Sequence, residues 1–366
     1  MKTININLAE RSYPIHIFND FSALAEKIKP FANGKKCCIV SNPTVWPLYG
    51  EKIEAEIKKS GAKVCHALIP DGEKYKNLTE LEKLLNELVG QKLDRSSLLI
   101  ALGGGIVGDV TGFAAASFMR GIPFIQIPTT LLAQVDSSVG GKTGVNLASG
   151  KNLVGAFYQP KMVFINHNTL ATLPIRECRA GYAEIIKTGV IYDEKLFETL
   201  ETETKNIFNA LSTGTPEKAA ALPEIIQRCC EIKAEVVAQD EHEKGLRAIL
   251  NYGHTFAHAV EMLTNYKQFV HGEAVAIGMH AAAVFANKLG MCGSELINRQ
   301  KMLIETAGLP TKFPELDTEE VMEAFYHDKK TTVSGLKFVL PTKIGKVEVV
   351  KNPDLSVLKE TIDECK

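Results

Sequence analysis

The feature that most constrains the fold is a change of hydrophobic period near residue 170. Upstream of it, residues 37–40, 64–69, 97–102, 124–127 and 162–165 form short apolar runs. They are too short for helices and carry no three-to-four rhythm, so they read as buried strands. Amphipathic stretches lie between them. Residues 51–60 read as a helix ended by Gly61, and residues 77–91 carry Leu78, Leu81, Leu84, Leu85 and Leu88 at helical spacing before Gly90. Strands alternating with helices imply βαβ units and a mostly parallel sheet. Ile4, Ile6 and Leu8, then Tyr13, Ile15 and Ile17, alternate with other residues around Glu10-Arg11-Ser12, which predicts an opening hairpin. After Thr172-Leu173-Pro174 helical periods take over, at residues 177–191, 223–240, 246–263, 272–289 and 294–307. A late hairpin is expected at 337–340 and 347–350, around Ile344-Gly345.

The chain is thus expected to be an α/β half, residues 1–172, followed by an all-α half, residues 173–366. Its 366 residues match a prior of two domains. No Pro/Gly-rich linker marks the boundary, so tight packing is expected, with ligands between the domains. Lys plus Arg is 42 and Asp plus Glu is 43, which argues against nucleic acid or an anionic membrane as partner. A local basic pocket remains compatible with that balance. The eight cysteines contain no C-x-x-C, which suits a reducing compartment better than a disulfide framework. The start lacks the apolar core of a signal peptide, and no apolar run reaches the length of a membrane span, so a cytoplasmic protein is expected.

Two glycine clusters stand out. Gly103, Gly105 and Gly108 satisfy G-x-G-x-x-G after a strand. Such glycines permit a tight turn and close approach of a pyrophosphate to a helix N-terminus. The motif follows a later strand than usual, and no acidic residue follows about twenty positions on, so glycines required only for packing are the alternative. The second cluster, residues 137–144, resembles a phosphate loop, but G-x-x-x-x-G-K-T would need glycine where Asp136 stands. A kinase or ATPase reading loses its support there. What remains is a loop with Lys142, followed by Lys151-Asn152 and preceded by Arg120. These cations suit a small phosphorylated anion, or else are solvated surface charges.

Read as one helix, residues 247–263 place Arg247, Asn251, His254 and His258 on a single face. A buried helix would fill that face with Leu or Val. His254 and His258 have the spacing of a metal-binding pair, but Thr255 excludes the H-E-x-x-H of a metalloprotease. His271 follows, and Glu184 and Lys187 lie three apart upstream. A carboxylate with imidazoles and an open position is the composition of a catalytic zinc site. Hydrogen-bonded histidines are the alternative, and spacing alone does not single out Glu184 among 43 acids.

The motifs taken together resemble the 3-dehydroquinate synthase family over nearly the whole chain. They are residues 70–76 (PDGEKYK), 103–113, 128–143 (PTTLLAQVDSSVGGKT), 150–152, 183–187 (AEIIK), 250–259 (LNYGHTFAHA), 271–273 (HGE) and 328–330 (DKK). The resemblance implies an N-terminal Rossmann-like domain binding NAD and a C-terminal multihelical domain holding zinc, with cobalt as an alternative. It implies Glu184, His254 and His271 as metal ligands. It implies dinucleotide contacts at Asp71, Gly72, Glu73, Lys74, Tyr75, Lys76, Gly105, Ile106, Val107, Gly108, Asp109, Thr129, Thr130, Thr169, Leu170, Ala171 and Thr172, with Lys142 and Lys151 nearby. Thr169 stands where the family often has an aromatic residue.

His258, Lys142, Lys187, Arg247 and Asn251 are implied as catalytic, and Arg120, Asp136, Asn152, Lys233 and one of Lys329 or Lys330 as substrate-binding. Arg120, Lys142, Asn152 and one of Lys329 or Lys330 would form the phosphate pocket, and Lys233 and Arg247 would hold a carboxylate. The implied activity is a carbon–oxygen lyase reaction on a sugar phosphate in the shikimate pathway, by a homodimer. Three rivals share some of these features. A polyol dehydrogenase would not need the cations, a cyclase for another heptulose phosphate would not need a carboxylate pocket, and an NAD-sensing protein would not need an open metal position.

Overall fold

Strand β5 (Leu98–Gly103) is buried along its whole length, as befits a central strand covered on both faces. Its side chains alternate between two cores. Leu99 and Ala101 face one core together with Cys38 and Val40 of β3 (Lys36–Ser41). Leu98, Ile100 and Leu102 face the other with Cys37 and Ile39. This is the two-residue period of a strand written across a sheet. The structure is a computed structural model that describes residues 2–243, 245–327 and 335–366.

The sheet has seven strands, completed by β1 (Lys2–Ile6), β2 (Tyr13–Phe18), β4 (Lys63–Leu68), β6 (Phe124–Pro128) and β9 (Val163–Asn166), in the order β1-β2-β9-β6-β5-β3-β4. The opening hairpin pairs β1 with β2 antiparallel, and every other pairing is parallel. Helices α1 (Leu24–Ala32) and α2 (Glu51–Lys59) bury Leu24, Ile28, Ile53 and Ile57 in one core. Helices α3 (Leu78–Gly90) and α4 (Gly105–Ser117) bury Leu81, Leu84, Leu88, Val107 and Val110 in the other. Chain order reverses between β3 and β5. The carboxyl ends of strands at such a point are where open α/β sheets bind ligands.

Residues 137–144 do not form the expected loop throughout. Lys142 begins β7 (Lys142–Leu147), which pairs antiparallel with β8 (Gly150–Phe157), the strand that holds Lys151 and Asn152. The glycines serve strand contact here. A Cβ on Gly155 would lie 2.0 Å from the Thr143 carbonyl oxygen.

The chain divides into two compact units, Met1–Leu173 with Lys233–Glu241, and Pro174–Ile232 with His242–Lys366. The short return segment lies outside anything the change of period registers. The second unit is built from α5 (Ile175–Tyr192), α6 (Glu194–Ser212), most of α7 (Leu222–Gln239), α8 (His254–Leu263), α9 (His271–Lys288), α10 (Ser294–Thr306), α11 (Thr318–His327) and α12 (Leu355–Cys365). The late hairpin is β10 (Lys337–Lys343) with β11 (Lys346–Lys351). Helix α6 is absent from the sequence expectation because its buried Leu196, Phe197, Leu200, Ile207 and Leu211 are diluted by glutamates, lysines and threonines.

The single helix expected over 246–263 is broken. A 3-10 turn covers Leu246–Asn251, Gly253 adopts φ +78°, and α8 starts at His254. Arg247 and Asn251 therefore do not share one helical face with His254 and His258. The left-handed position costs little only for glycine. A Cβ there would also lie 2.8 Å from the Met279 side chain and 3.0 Å from the Val275 carbonyl. Among the described residues, no helix is long and apolar enough to cross a membrane.

Candidate functional site

Three helices of the second unit deliver one donor each to a common point. Glu184 lies in the middle of α5, His254 is the first residue of α8 and His271 the first of α9. One ligand atom from each falls within 4.8 Å of the others. His254 Nε2 is 3.7 Å and His271 Nε2 is 3.6 Å from Glu184 Oε1. These separations are too long for hydrogen bonds, and they match the spacing of donors about 2 Å from one shared ion.

Glycines bring the helices this close. A Cβ on Gly272, beside His271, would lie 2.0 Å from the carbonyl oxygen of Ala180, one turn before Glu184. A Cβ on Gly278 would lie 2.1 Å from the carbonyl oxygen of Gly253, next to His254. Both substitutions would collide with main chain, so α9 can approach α5 and the start of α8 only with glycine at these positions.

The electrostatics are those of a donor set. Glu184 is 1% exposed, and its Oε1 accepts no hydrogen bond among the described residues. Lys187, one turn on and itself buried, is ion-paired with Oε2. Burial would raise the Glu184 carboxyl, but the Lys187 ammonium and the two imidazoles outweigh it and hold it well below the usual carboxylate range. Burial brings His254 down to about 3. Burial also pulls on His271, but the adjoining carboxylates of Glu184 and Glu261 prevail and push it up to about 10. The second nitrogen of each ring faces an acceptor. His254 Nδ1 is 3.1 Å from the Tyr252 carbonyl, and His271 Nδ1 is 3.4 Å from Glu261 Oε1. Those contacts place the single proton of each neutral ring on Nδ1, so that Nε2 is the atom a cation would take. A buried carboxylate with one oxygen left without a hydrogen bond, and two imidazoles whose Nε2 atoms converge on it, fit one zinc or cobalt ion.

Of the other implied residues of this unit, Arg247, Asn251 and His258 lie close to His254 in sequence. The His258 ring stands perpendicular to that of His254, with centroids 5.7 Å apart. Arg247, in the 3-10 turn, is only 1% exposed. Asn251 Nδ2 donates to Glu243 Oε1 at 2.6 Å. Lys329 and Lys330 lie outside the described residues.

The first unit gathers a different set. The glycine motif leaves β5 and enters α4, which opens at Gly105. The alternative based on packing accounts for part of it. A Cβ on Gly108 would meet Gln126 Oε1 at 2.6 Å, and one on Gly103 would meet Val107 at 2.7 Å. The N-terminus of α4 has no side-chain cap, and free N–H groups at such an end suit an anion. Asp109, one turn into α4, takes a 2.6 Å ion pair from the buried Lys76, whose ammonium also donates to Asn152 Oδ1 at 2.6 Å. Asn146 links the hairpin to this group, donating from Nδ2 to Glu73 Oε1 at 2.7 Å and accepting from Asn152 N at 2.8 Å. Lys233, from the return segment, pairs with Asp136 at 2.5 Å.

Asp71 accepts hydrogen bonds from Asn42 and Thr44, just past the end of β3. Thr169 is turned inward, its hydroxyl engaged with Gln134 Nε2 at 3.0 Å and the Asn166 carbonyl at 2.9 Å, and Leu170 is fully buried. Arg120 is exposed at φ +69°, Lys142 is exposed, and Lys151 is half-buried.

Six side chains in these networks lie outside the sequence-based set, Asn42, Thr44, Gln134, Asn146, Glu243 and Glu261. Asn42 carries only the signal of following a strand. Glu243 sits in a charged run that reads as surface. Glu261 had the clearest signal, an acid flanked by Val260 and Met262 two turns after His254 on an apolar helix.

The chain is similar to known proteins over almost its full length. Residues 66–180 match the family model described as 3-dehydroquinate synthase N-terminal, and residues 181–331 match 3-dehydroquinate synthase C-terminal. It is 48% identical over 361 residues to 3-dehydroquinate synthase of Nostoc punctiforme, covering 98% of each chain. Among solved structures, 2-deoxy-scyllo-inosose synthase complexed with carbaglucose-6-phosphate, NAD+ and Co2+ is 28% identical with a TM-score of 0.86, over 100% of both chains. The 2-epi-5-epi-valiolone synthase of Streptomyces hygroscopicus subsp. jinggangensis, with NAD+ and Zn2+ bound, is 26% identical with a TM-score of 0.88, over 98% of both. With that identity sustained from end to end, the chain belongs to the 3-dehydroquinate synthase family.

Proposed function

We propose that this chain converts 3-deoxy-D-arabino-heptulosonate 7-phosphate into 3-dehydroquinate and inorganic phosphate, acting as an NAD-dependent, metal-dependent carbon–oxygen lyase. The observation that carries the reading is the 48% identity to a 3-dehydroquinate synthase over 98% of both chains. The reaction runs through transient oxidation of a hydroxyl, loss of phosphate, return of the hydride and an intramolecular aldol closure, so no net redox change occurs. When bound, zinc or cobalt supplies Lewis acidity toward substrate oxygens and NAD a reversible hydride acceptor.

Residues 1–172 are the NAD-binding part in this reading, with residues 71–76, 105–109, 129–130 and 169–172 as the contact segments and Lys142 and Lys151 nearby. Residues 173–366 hold the metal through Glu184, His254 and His271. Lys187 ion-pairs with the ligand carboxylate and sets the charge beside the metal. His258 relays the proton released at the oxidation step. Arg120, Lys142, Asn152 and one of Lys329 or Lys330 take the phosphate, and Lys233 and Arg247 the carboxylate. Asn251 and Asp136 orient hydroxyl groups. Orientation is the main demand, because one bound molecule passes through every step. The working form is a cytoplasmic homodimer.

The test is an incubation of the purified chain with the heptulosonate phosphate, catalytic NAD+ and zinc. Phosphate release without accumulation of NADH supports the reading. Stoichiometric NADH would instead indicate a polyol dehydrogenase. Equal turnover of a heptulose phosphate lacking the carboxylate would indicate a different sugar-phosphate cyclase.

A further inference from the structure

We infer that Glu261 is a positioning residue for the metal, fixing the tautomer and orientation of His271 by accepting its Nδ1 proton. The inference rests on the reading of Glu184, His254 and His271 as metal ligands. It concerns a residue that contributes no ligand atom to that set.

Glu261 lies on α8 two turns after His254, so the two point along the same helix face. Its side chain is 4% exposed, and Oε1 is 3.4 Å from His271 Nδ1. A carboxylate can only accept, so Nδ1 carries a proton, and in the neutral ring the lone pair lies on Nε2. That Nε2 is the atom 3.6 Å from Glu184 Oε1. The main chain of the same residue shapes the connection to α9, since its carbonyl accepts from Tyr266 N at 2.8 Å and from the Thr264 hydroxyl at 3.4 Å. One residue therefore helps to set both the course of the turn toward His271 and the orientation of its ring.

The two imidazoles are handled differently. His254 faces a main-chain carbonyl, that of Tyr252, which no substitution removes. His271 depends on a side chain. A buried carboxylate in an apolar helix is costly unless something uses it.

The test compares Glu261→Met with Glu261→Gln in the full chain. Zinc affinity is measured by chelator competition, the cobalt-loaded visible spectrum is recorded, and melting of the metal-stripped protein serves as the folding control. Glu261→Met should weaken zinc binding about 10- to 100-fold, in the range found for lost outer-shell partners, and alter the cobalt spectrum. The melting temperature of its stripped form should not fall. Glu261→Gln keeps an acceptor oxygen and should recover most of the affinity and the wild-type spectrum. Zinc binding by Glu261→Met within about twofold of wild type would overturn the inference. So would a Glu261→Gln protein as weak as Glu261→Met, because then charge alone and no positioning bond would be at work. Failure of the wild-type chain to bind zinc or cobalt would overturn the ligand reading beneath it, a result distinct from either of these.

Discussion

The charged groups of the two units answer the same physical demand in opposite ways. In the first unit they are matched in pairs, Lys76 with Asp109 and Lys233 with Asp136, so each buried charge meets an opposite charge at hydrogen-bond distance. In the second, Glu184 is ion-paired with Lys187 through Oε2, and two imidazoles converge on its Oε1 as well. Paired clusters are complete within the protein. A convergent donor set concentrates lone pairs on one point, which a metal cation there would stabilise. The difference separates charges already neutralised within the protein from donors that converge on a point suited to a cation.

The sharpest way to break this contrast is at the donor set. His271→Ala should abolish stoichiometric metal binding and lower turnover by several orders of magnitude, with circular dichroism unchanged. A metal content still at one per chain would remove His271 from the set. The next largest effect tests the spacing that creates it. Gly272→Ala places a Cβ 2.0 Å from a main-chain oxygen and should cost about 3 kcal/mol, together with metal affinity. Gly90→Ala, in open space at the end of α3, should stabilise by up to about 1 kcal/mol in the same denaturation assay. Equal effects would show that helix spacing is not the constraint.

The paired clusters are tested by Lys76→Met, which leaves Asp109 without its ion pair and should cost about 2 kcal/mol near neutral pH. Burial already raises the Asp109 carboxyl above its ordinary 3.8, against the pull of Lys76. A raised carboxyl means that folding favours the protonated form. The penalty in Lys76→Met should therefore be absent below about pH 3.8 and grow as pH rises through the folded value, and a pH-independent cost would refute the charge explanation. The smallest effect is expected at Asp193, which caps α6 by accepting from Leu196 N at 3.0 Å and pairs with Arg228 at 2.6 Å. Burial acts to raise its carboxyl, but the Leu196 N–H and Arg228 outweigh it and lower it. Asp193→Ala should cost about 1 kcal/mol at neutral pH. A depressed carboxyl stabilises above its unfolded value of about 3.8 and loses that contribution as pH falls through the folded one, so the difference from wild type should vanish in acid.

Much of the architecture was legible because its signals are local. The apolar runs that became β3, β5, β6 and β9 are short and continuous, and α3 carries its leucines at helical spacing beneath an Asn77 cap. The misreading at 246–263 has a specific cause. Arg247, Asn251, His254 and His258 keep helical spacing in sequence, and only the left-handed Gly253 shows that the chain turns between the second and third of them. The β7–β8 hairpin was missed because glycines that read as loop serve as close-contact positions between strands. In the site, His254 and His271 stand out on sequence as clustered imidazoles. Glu184 required the family resemblance, since acids are abundant on any surface and nothing local marks a buried one.

The sequence by itself determined the two structural regimes, the neutral overall charge and the glycine and histidine clusters, because these depend on composition and short-range order. Tertiary structure decided which carboxylate faces the imidazoles, which nitrogen of each ring is left for a cation, and that Lys233 groups with the first unit rather than with the helices that precede it. Those outcomes depend on contacts between residues far apart in the chain, such as Gly272 on Ala180 and Gly278 on Gly253, where helix axes meet at the distance set by a missing side chain. Sequence spacing within one element specifies a face. It does not specify what that face meets.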